Sequence, residues 1–86
     1  MSKILIIDDE KVIRDTLREI LEYEKFIISE AKDGEEGLAK IKEEDFDLVL
    51  CDIKMPKMDG IEVLEQAKAL DRPPQFIMIS AHGSIE

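Results

Sequence analysis

The sequence predicts an α/β protein with a doubly wound parallel sheet, in which strands alternate with helices. The first observation is that short, almost continuously apolar and β-branched segments recur along the chain, as in strands buried on both faces. The second is that the segments between them carry apolar residues at helical spacing. This alternation is typical of a parallel sheet with right-handed crossovers and helices on both faces. We therefore expect four strands and three helices.

Length and composition limit what such a protein can be. The chain has 86 residues, so we expect one small domain, residues 1–86. Hydrophobic residues make up 44% and charged residues 38%, which excludes a disordered tail. The net charge of −9 repels phosphate backbones and anionic lipid, so we expect no direct binding of nucleic acid or membrane. Because no apolar run has the length of a membrane span or a signal peptide, we expect a cytoplasmic protein.

The first strand is predicted at Lys3–Ile7, and the acidic run Asp8–Glu10 follows it directly. The first helix is predicted from Lys11 to about Glu24, with charge outside one apolar stripe. The residues of that stripe fall at i, i+4, i+7 and i+8, namely Ile13, Leu17, Ile20 and Leu21.

The second strand is predicted at Phe26–Ala31 and contains a serine and a glutamate. These residues are poorly suited to burial on both faces, so we place this strand at an edge of the sheet. Asp33 is predicted to cap the second helix, with Glu36 completing a pair similar to a capping box. That helix ends near Glu44, and its apolar stripe consists of Leu38 and Ile41.

The third strand is predicted at Phe46–Cys51 and is followed by another acid, Asp52. A loop then runs to Gly60, which we expect to permit unusual backbone dihedral angles, while Pro56 fixes φ. Cys51 is the only cysteine, so an intramolecular disulfide is excluded and the thiol is interpreted as a packing group.

The third helix is predicted to begin after the capping residue Asp59 and to end before Arg72–Pro74, because proline disfavours helix continuation. Its apolar residues are Ile61, Leu64, Ala67 and Leu70. The fourth strand is predicted at Gln75–Ile79, and Ser80 follows it.

Polar residues with a common chemistry follow the predicted strands. In parallel sheets ligands bind at the carboxyl ends of the strands, where Asp8, Asp9, Asp52 and Ser80 all lie. Three carboxylates that converge repel one another, and Mg²⁺ is the simplest compensation because it prefers oxygen ligands. A carboxylate at a strand tip is also a usable nucleophile toward phosphorus, which would give an aspartyl phosphate. Asp52 is the best-placed nucleophile, Asp8 and Asp9 would hold the metal, and the Ser80 hydroxyl could contact a phosphoryl oxygen.

Three segments of the chain carry a family resemblance. Ile4–Glu10, Leu48–Gly60 and Ile77–Gly83 resemble, in order and spacing, the receiver domain of two-component response regulators, which has a flavodoxin-like (CheY-like) fold. The resemblance implies that Asp52 is the phosphoacceptor for a histidine kinase and that the domain switches an effector domain or a downstream protein. The residues from Ser80 to the end resemble receivers of the NtrC type, which control transcription activators.

The resemblance also assigns the site residues. It implies that Mg²⁺ is held by Asp8, Asp9, Asp52 and the backbone carbonyl of Lys54, and that Ser80 is the switch hydroxyl. The family fold has a fourth helix, a fifth strand with a phosphate-pairing lysine, and a fifth helix, all of which would lie beyond residue 86. We therefore expect a truncated receiver domain with impaired function. The open edge of its fourth strand would favour self-association or domain swapping.

Two other classes of protein use similar elements. A haloacid-dehalogenase-type phosphatase also attacks phosphorus with an aspartate at a strand end, but it carries a second acid two residues later, where this chain has Lys54. A flavodoxin-like nucleotide or flavin binder needs a Ser-, Thr- or Gly-rich phosphate loop after the first strand, and Asp8–Glu10 would repel that phosphate. We therefore expect a signalling module and not an enzyme, with the phosphatase as the alternative.

Overall fold

The sheet is parallel throughout, and its strands alternate with helices along the chain. The computed structural model describes residues 1–80. Its elements are β1 (Lys3–Ile7), α1 (Lys11–Tyr23), β2 (Ile27–Ala31), α2 (Gly34–Glu43), β3 (Leu48–Asp52), α3 (Gly60–Lys68) and β4 (Gln75–Ile79). The strand order is β2-β1-β3-β4, with every neighbouring pair parallel. For residues 1–80 this confirms the predicted four strands and three helices, and it places β2 at an edge as expected.

Helices cover both faces of the sheet. Successive side chains of a strand point to opposite faces, so β1 contributes to an apolar cluster on each face. On one face, Ile4 and Ile6 of β1 are buried against Leu17 and Leu21 of α1. On the other face, Leu5 and Ile7 belong to a second cluster. Helices α2 and α3 supply this second cluster with Leu38, Ile41, Val63 and Ala67.

The apolar pattern of α3 was only partly predicted correctly. Val63 and Ala67 are fully buried and lie at i and i+4, so they form the face that packs on the sheet. Ile61, which we predicted on that face, is exposed, because a residue two positions before Val63 points to nearly the opposite side of a helix. Leu70 lies beyond the end of α3 but still packs against the cluster.

The stripe of α1 also differs from the prediction at one position. Ile13, Leu17 and Leu21 are half-buried, whereas Ile20 is 55% exposed. Helix α1 packs against β1 and β2, and Leu17 and Leu21 supply that contact. Ile20 lies on the flank of the stripe and therefore remains in contact with solvent.

The predicted caps are present at both helices. The Asp33 carboxylate accepts a hydrogen bond from the Glu36 amide at 2.8 Å, and Asp59 accepts one from the Glu62 amide at 2.9 Å. The Glu36 carboxylate accepts a hydrogen bond from the amide of Lys32 at 2.7 Å. The reciprocal bond of this capping box therefore goes to the residue before the cap Asp33 and not to the cap itself. Within residues 1–80 we find no helix with the length and apolar character needed to span a bilayer.

Candidate metal centre at the carboxyl edge of the sheet

Two adjacent strands bring the first two acids together. Strands β1 and β3 pair in a register that sets Ile7 beside Cys51, so Asp8 and Asp52 follow as the next opposed positions. The chain leaves β1 toward β2 on one side and reaches β3 on the other. The crevice between β1 and β3 is therefore the point where the strand order reverses, which is where ligands bind in such sheets.

The three predicted acids converge at this point. Asp8, Asp9 and Asp52 each offer a carboxylate oxygen, and these oxygens lie within 4.8 Å of one another. Asp8 and Asp52 are 0% exposed, whereas Asp9 is exposed. Carboxylates this close repel one another unless a cation compensates their charge, and hard oxygen ligands with one open side suit Mg²⁺, which keeps several waters. The residues present therefore fit the expected metal.

Backbone hydrogen bonds fix Asp8 at the end of β1. Its amide donates to the carbonyl oxygen of Ala31 in β2 at 3.2 Å, and its Oδ1 accepts from the amide of Glu10 at 2.8 Å. On β3, Oδ1 of Asp52 accepts from the amide of Lys54 at 3.4 Å. Lys54 thus lies next to the acids through its backbone, and the role of its carbonyl oxygen stays a prediction.

The loop after Asp52 folds back onto the strand that it leaves. The Gly60 amide donates to the carbonyl of Ile53 at 2.9 Å, and the Ile53 amide donates to the carbonyl of Ile79 at 3.0 Å. A Cβ atom at Gly60 would lie 2.1 Å from the backbone oxygen of Asp52, so only glycine fits there. The positive φ angle in this loop belongs to Lys57 at 68°. Gly60 is therefore required for close approach, and the prediction that it permits unusual dihedral angles is wrong.

Ser80 follows β4, the strand that pairs with β3. The register sets Asp52 beside Ile79, so Ser80 is one position beyond the level of the acid, and it is exposed. Its switch role stays a prediction. The NtrC-type resemblance depends mainly on residues 81–86, which lie outside the described residues.

Sequence reasoning missed a polar network beside the acids. Glu30 of β2 accepts hydrogen bonds from Arg14 Nε at 3.1 Å and from Arg18 Nη1 of the same helix. Arg14 also donates to the carbonyl oxygen of Asp8 at 2.8 Å. The available signal was the pair of arginines at i and i+4 on α1 together with a glutamate in a predicted strand.

Cys51 is a packing residue, as predicted. It is fully buried in the cluster between the sheet and the α2 and α3 helices. Burial, together with the negative charges of Asp52, Asp8 and Asp59, raises the pKa of its thiol to about 12. The thiol is therefore protonated at neutral pH, which agrees with its place in the apolar cluster.

Comparison with known proteins agrees with this geometry. The family model of the response regulator receiver domain matches residues 4–86. The transcriptional regulatory protein ResD of Bacillus subtilis is 46% identical over 82 residues, which cover 95% of this chain and 34% of that protein. This chain thus spans about a third of the length of that relative.

Two solved structures of Thermotoga maritima proteins are also similar. The response regulator TrrA in complex with Mg²⁺-BeF superposes with a TM-score of 0.89 at 38% identity, over 94% of this chain and 70% of that one. TrrA in complex with the histidine kinase ThkA gives a TM-score of 0.88 at 37% identity, over 98% of this chain and 72% of that one.

The chain belongs to the response regulator receiver domain family. The predicted fold class and the family resemblance of the sequence motifs are both confirmed. The chain is a module of two-component signal transduction. The alternative of a haloacid-dehalogenase-type phosphatase gains no support from these relatives or from the position of Lys54.

Proposed function

We propose that this receiver domain accepts a phosphoryl group on Asp52 from the phosphohistidine of a sensor kinase. A carboxylate oxygen of Asp52 attacks phosphorus, the bond between phosphorus and the histidine nitrogen breaks, and that nitrogen keeps the electron pair. The similar structure of TrrA with a histidine kinase supports a kinase as the donor.

The residues of the metal centre have different roles in this proposal. Asp8, Asp9 and Asp52 would hold Mg²⁺, with the Lys54 carbonyl as a further ligand. When bound, the ion polarises the phosphoryl oxygens and screens them from the carboxylates. Asp52 sits on a rigid strand held against α3 by Gly60, so its oxygen is oriented before the donor arrives. Ser80 would donate its hydroxyl hydrogen to an oxygen of the new phosphoryl group and act as the switch contact.

The observation that carries this proposal is the convergence of the three carboxylates within 4.8 Å at the reversal point of the strand order. Solubility alone does not require two fully buried aspartates there. The chemistry is stoichiometric transfer to the protein, so we propose a cytoplasmic signalling module that acts on an effector domain or a downstream protein. An output in transcription control is supported by the similarity to ResD.

The test is the intact mass of the chain after incubation with acetyl phosphate, with and without Mg²⁺. We expect one phosphoryl adduct that requires Mg²⁺ and is absent from Asp52→Asn. The matched control is Asp45→Asn, which removes an exposed carboxylate before β3 and keeps the adduct. An adduct that persists in Asp52→Asn, or a folded chain that binds Mg²⁺ and forms no adduct, would overturn the acceptor role in residues 1–86.

We also propose that residues 1–86 self-associate or exchange elements between copies through the β4 edge. Within the described residues β4 pairs with β3 on one side only, and Ile77 on this strand is 50% exposed. An edge of this kind invites pairing with a second copy. Light scattering at micromolar concentration should give a mass above that of one chain, and Ile77→Lys should lower it. A wild-type monomer would exclude this assembly.

A further inference from the structure

One side chain of α1 connects the metal centre to the edge strand. Arg14 is 14% exposed, and its guanidinium donates to the carbonyl oxygen of Asp8 at 2.8 Å and to Glu30 at 3.1 Å. We propose that Arg14 is a positioning residue for the cation site, acting through the peptide group that joins Asp8 to Asp9. The inference rests on the proposed function only in requiring that Asp8 and Asp9 bind the cation.

The peptide group after Asp8 carries both acids. Asp8 lies one residue beyond β1, where the regular strand hydrogen bonds end. Its amide is still held by Ala31 of β2 at 3.2 Å, and the guanidinium of Arg14 holds its carbonyl oxygen. The amide and the carbonyl group of Asp8 are therefore both fixed. The orientation of the peptide plane between Asp8 and Asp9 is fixed with them. A change in that plane would move two carboxylates at once.

Glu30, the second partner of Arg14, explains how a positively charged guanidinium can lie near a metal-ion site. A guanidinium beside three carboxylates could pair with them and compete with a metal ion. Glu30 faces this guanidinium and that of Arg18. Burial alone would raise the pKa of Glu30, but the hydrogen bonds from Arg18 and Arg14 hold that pKa below its ordinary value. Glu30 is therefore anionic at neutral pH, and it keeps the Arg14 fork directed at the carbonyl oxygen.

Arg18 shows what a purely structural arginine does in this position. It pairs with the same glutamate and donates to the carbonyl oxygen of Ile28 at 3.3 Å, so it ties α1 to β2. Its hydrogen bonds go to Glu30, Ile28 and Glu22, which lie outside the three-aspartate metal centre. If Arg14 served only to tie the helix to the strand, the two arginines would be equivalent. The contact with Asp8 distinguishes them.

The test compares Arg14→Lys with Arg18→Lys in a titration with Mg²⁺ alone, followed by the ¹⁵N-amide shifts of Asp9 and Lys54. Both variants keep the charge, but an ammonium group is a point donor and lacks the planar fork that serves two acceptors in fixed directions. We expect Arg14→Lys to raise the Kd for Mg²⁺ about tenfold, as for other groups that orient metal ligands. We expect Arg18→Lys to change the Kd less than about twofold, since the contacts that it loses lie outside the centre.

A second variant keeps the test decisive if Arg14→Lys folds poorly. Glu30→Gln removes the anion that holds the guanidinium, and we expect it to weaken Mg²⁺ binding at least about threefold, in the direction of the effects seen for outer partners of metal sites. Equal Kd changes in the Arg14 and Arg18 variants, or no change in the Arg14 and Glu30 variants, would overturn the positioning role. A wild-type chain with no saturable Mg²⁺ shifts would instead overturn the metal centre of the proposed function, and the inference with it.

Discussion

The two faces of the sheet differ in how completely helices cover them. On the face of α2 and α3, side chains from every strand join one cluster, and Leu5, Val49 and Val63 are fully buried in it. On the face of α1 the buried cluster is small, and Ile77 of β4 remains half exposed. The metal centre lies at the edge common to both faces. The α3 side fixes Asp52 through Gly60, whereas the α1 side fixes Asp8 through Arg14.

The face of α2 and α3 thus holds the larger buried cluster, while the site has contacts on both faces. Hydrophobic burial stabilises in proportion to the apolar area removed from water. We therefore expect the face covered by α2 and α3, called the closed face below, to contribute more to stability. The contacts on the α1 face adjust the geometry of the three aspartates. Substitutions on the two faces should separate loss of folding from loss of metal binding.

The largest effect should come from the closed face. Leu5→Ala removes a fully buried side chain from β1, and we expect the free energy of unfolding to fall by about 3 kcal/mol, the usual cost of such a cavity. Urea unfolding followed by far-UV circular dichroism measures this loss. A fall of less than about 1 kcal/mol would mean that the closed face does not dominate the stability.

A smaller effect with a specific consequence is expected at Gly60. The Cβ of Gly60→Ala would lie 2.1 Å from the backbone oxygen of Asp52, so strand and helix must separate. We expect a loss of about 1–3 kcal/mol, the range for overpacked positions, together with weaker Mg²⁺ binding.

Gly37→Ala is the matched control. Its Cβ would also clash, but with side-chain atoms of Ile7 in the cluster under α2 and not with the backbone of an acid. This variant should lose stability while keeping its affinity for Mg²⁺. If both variants bind Mg²⁺ as the wild type does, the close approach at Gly60 does not position Asp52.

These two glycines show what sequence can and cannot predict. The elements, the parallel sheet and the cluster of Asp8, Asp9 and Asp52 followed from apolar segments that end at acids. The role of Gly60 did not follow, because a glycine at a tight backbone contact and a glycine with positive φ are identical in a sequence. The contact of Arg14 with Asp8 could not be predicted either, since it depends on the position of α1 over β1 and β2.

A pH-dependent effect is expected at Glu30. The arginines hold its pKa below the ordinary value of 4.5, so its ion pairs stabilise the fold above that pH and are lost as the pH falls through the pKa of the folded state. We expect Glu30→Gln to cost about 1 kcal/mol at pH 7, as for ion pairs near a surface. The difference between variant and wild type in urea unfolding should shrink below pH 4.5. A difference that is constant from pH 7 to pH 3 would show that the charge of Glu30 contributes nothing.

The smallest effect is expected at the exposed flank of α1, where periodicity predicted burial. Because Ile20 is 55% exposed, Ile20→Ala removes little buried area, and alanine is the better helix former. We expect the free energy of unfolding to change by less than about 0.5 kcal/mol. Leu17→Ala on the same helix is the control and should cost more than about 1 kcal/mol, because Leu17 packs against the buried cluster that contains Ile4 and Ile6. Equal losses at the two positions would mean that the flank of α1 is covered in solution, by a second copy or by another part of the protein.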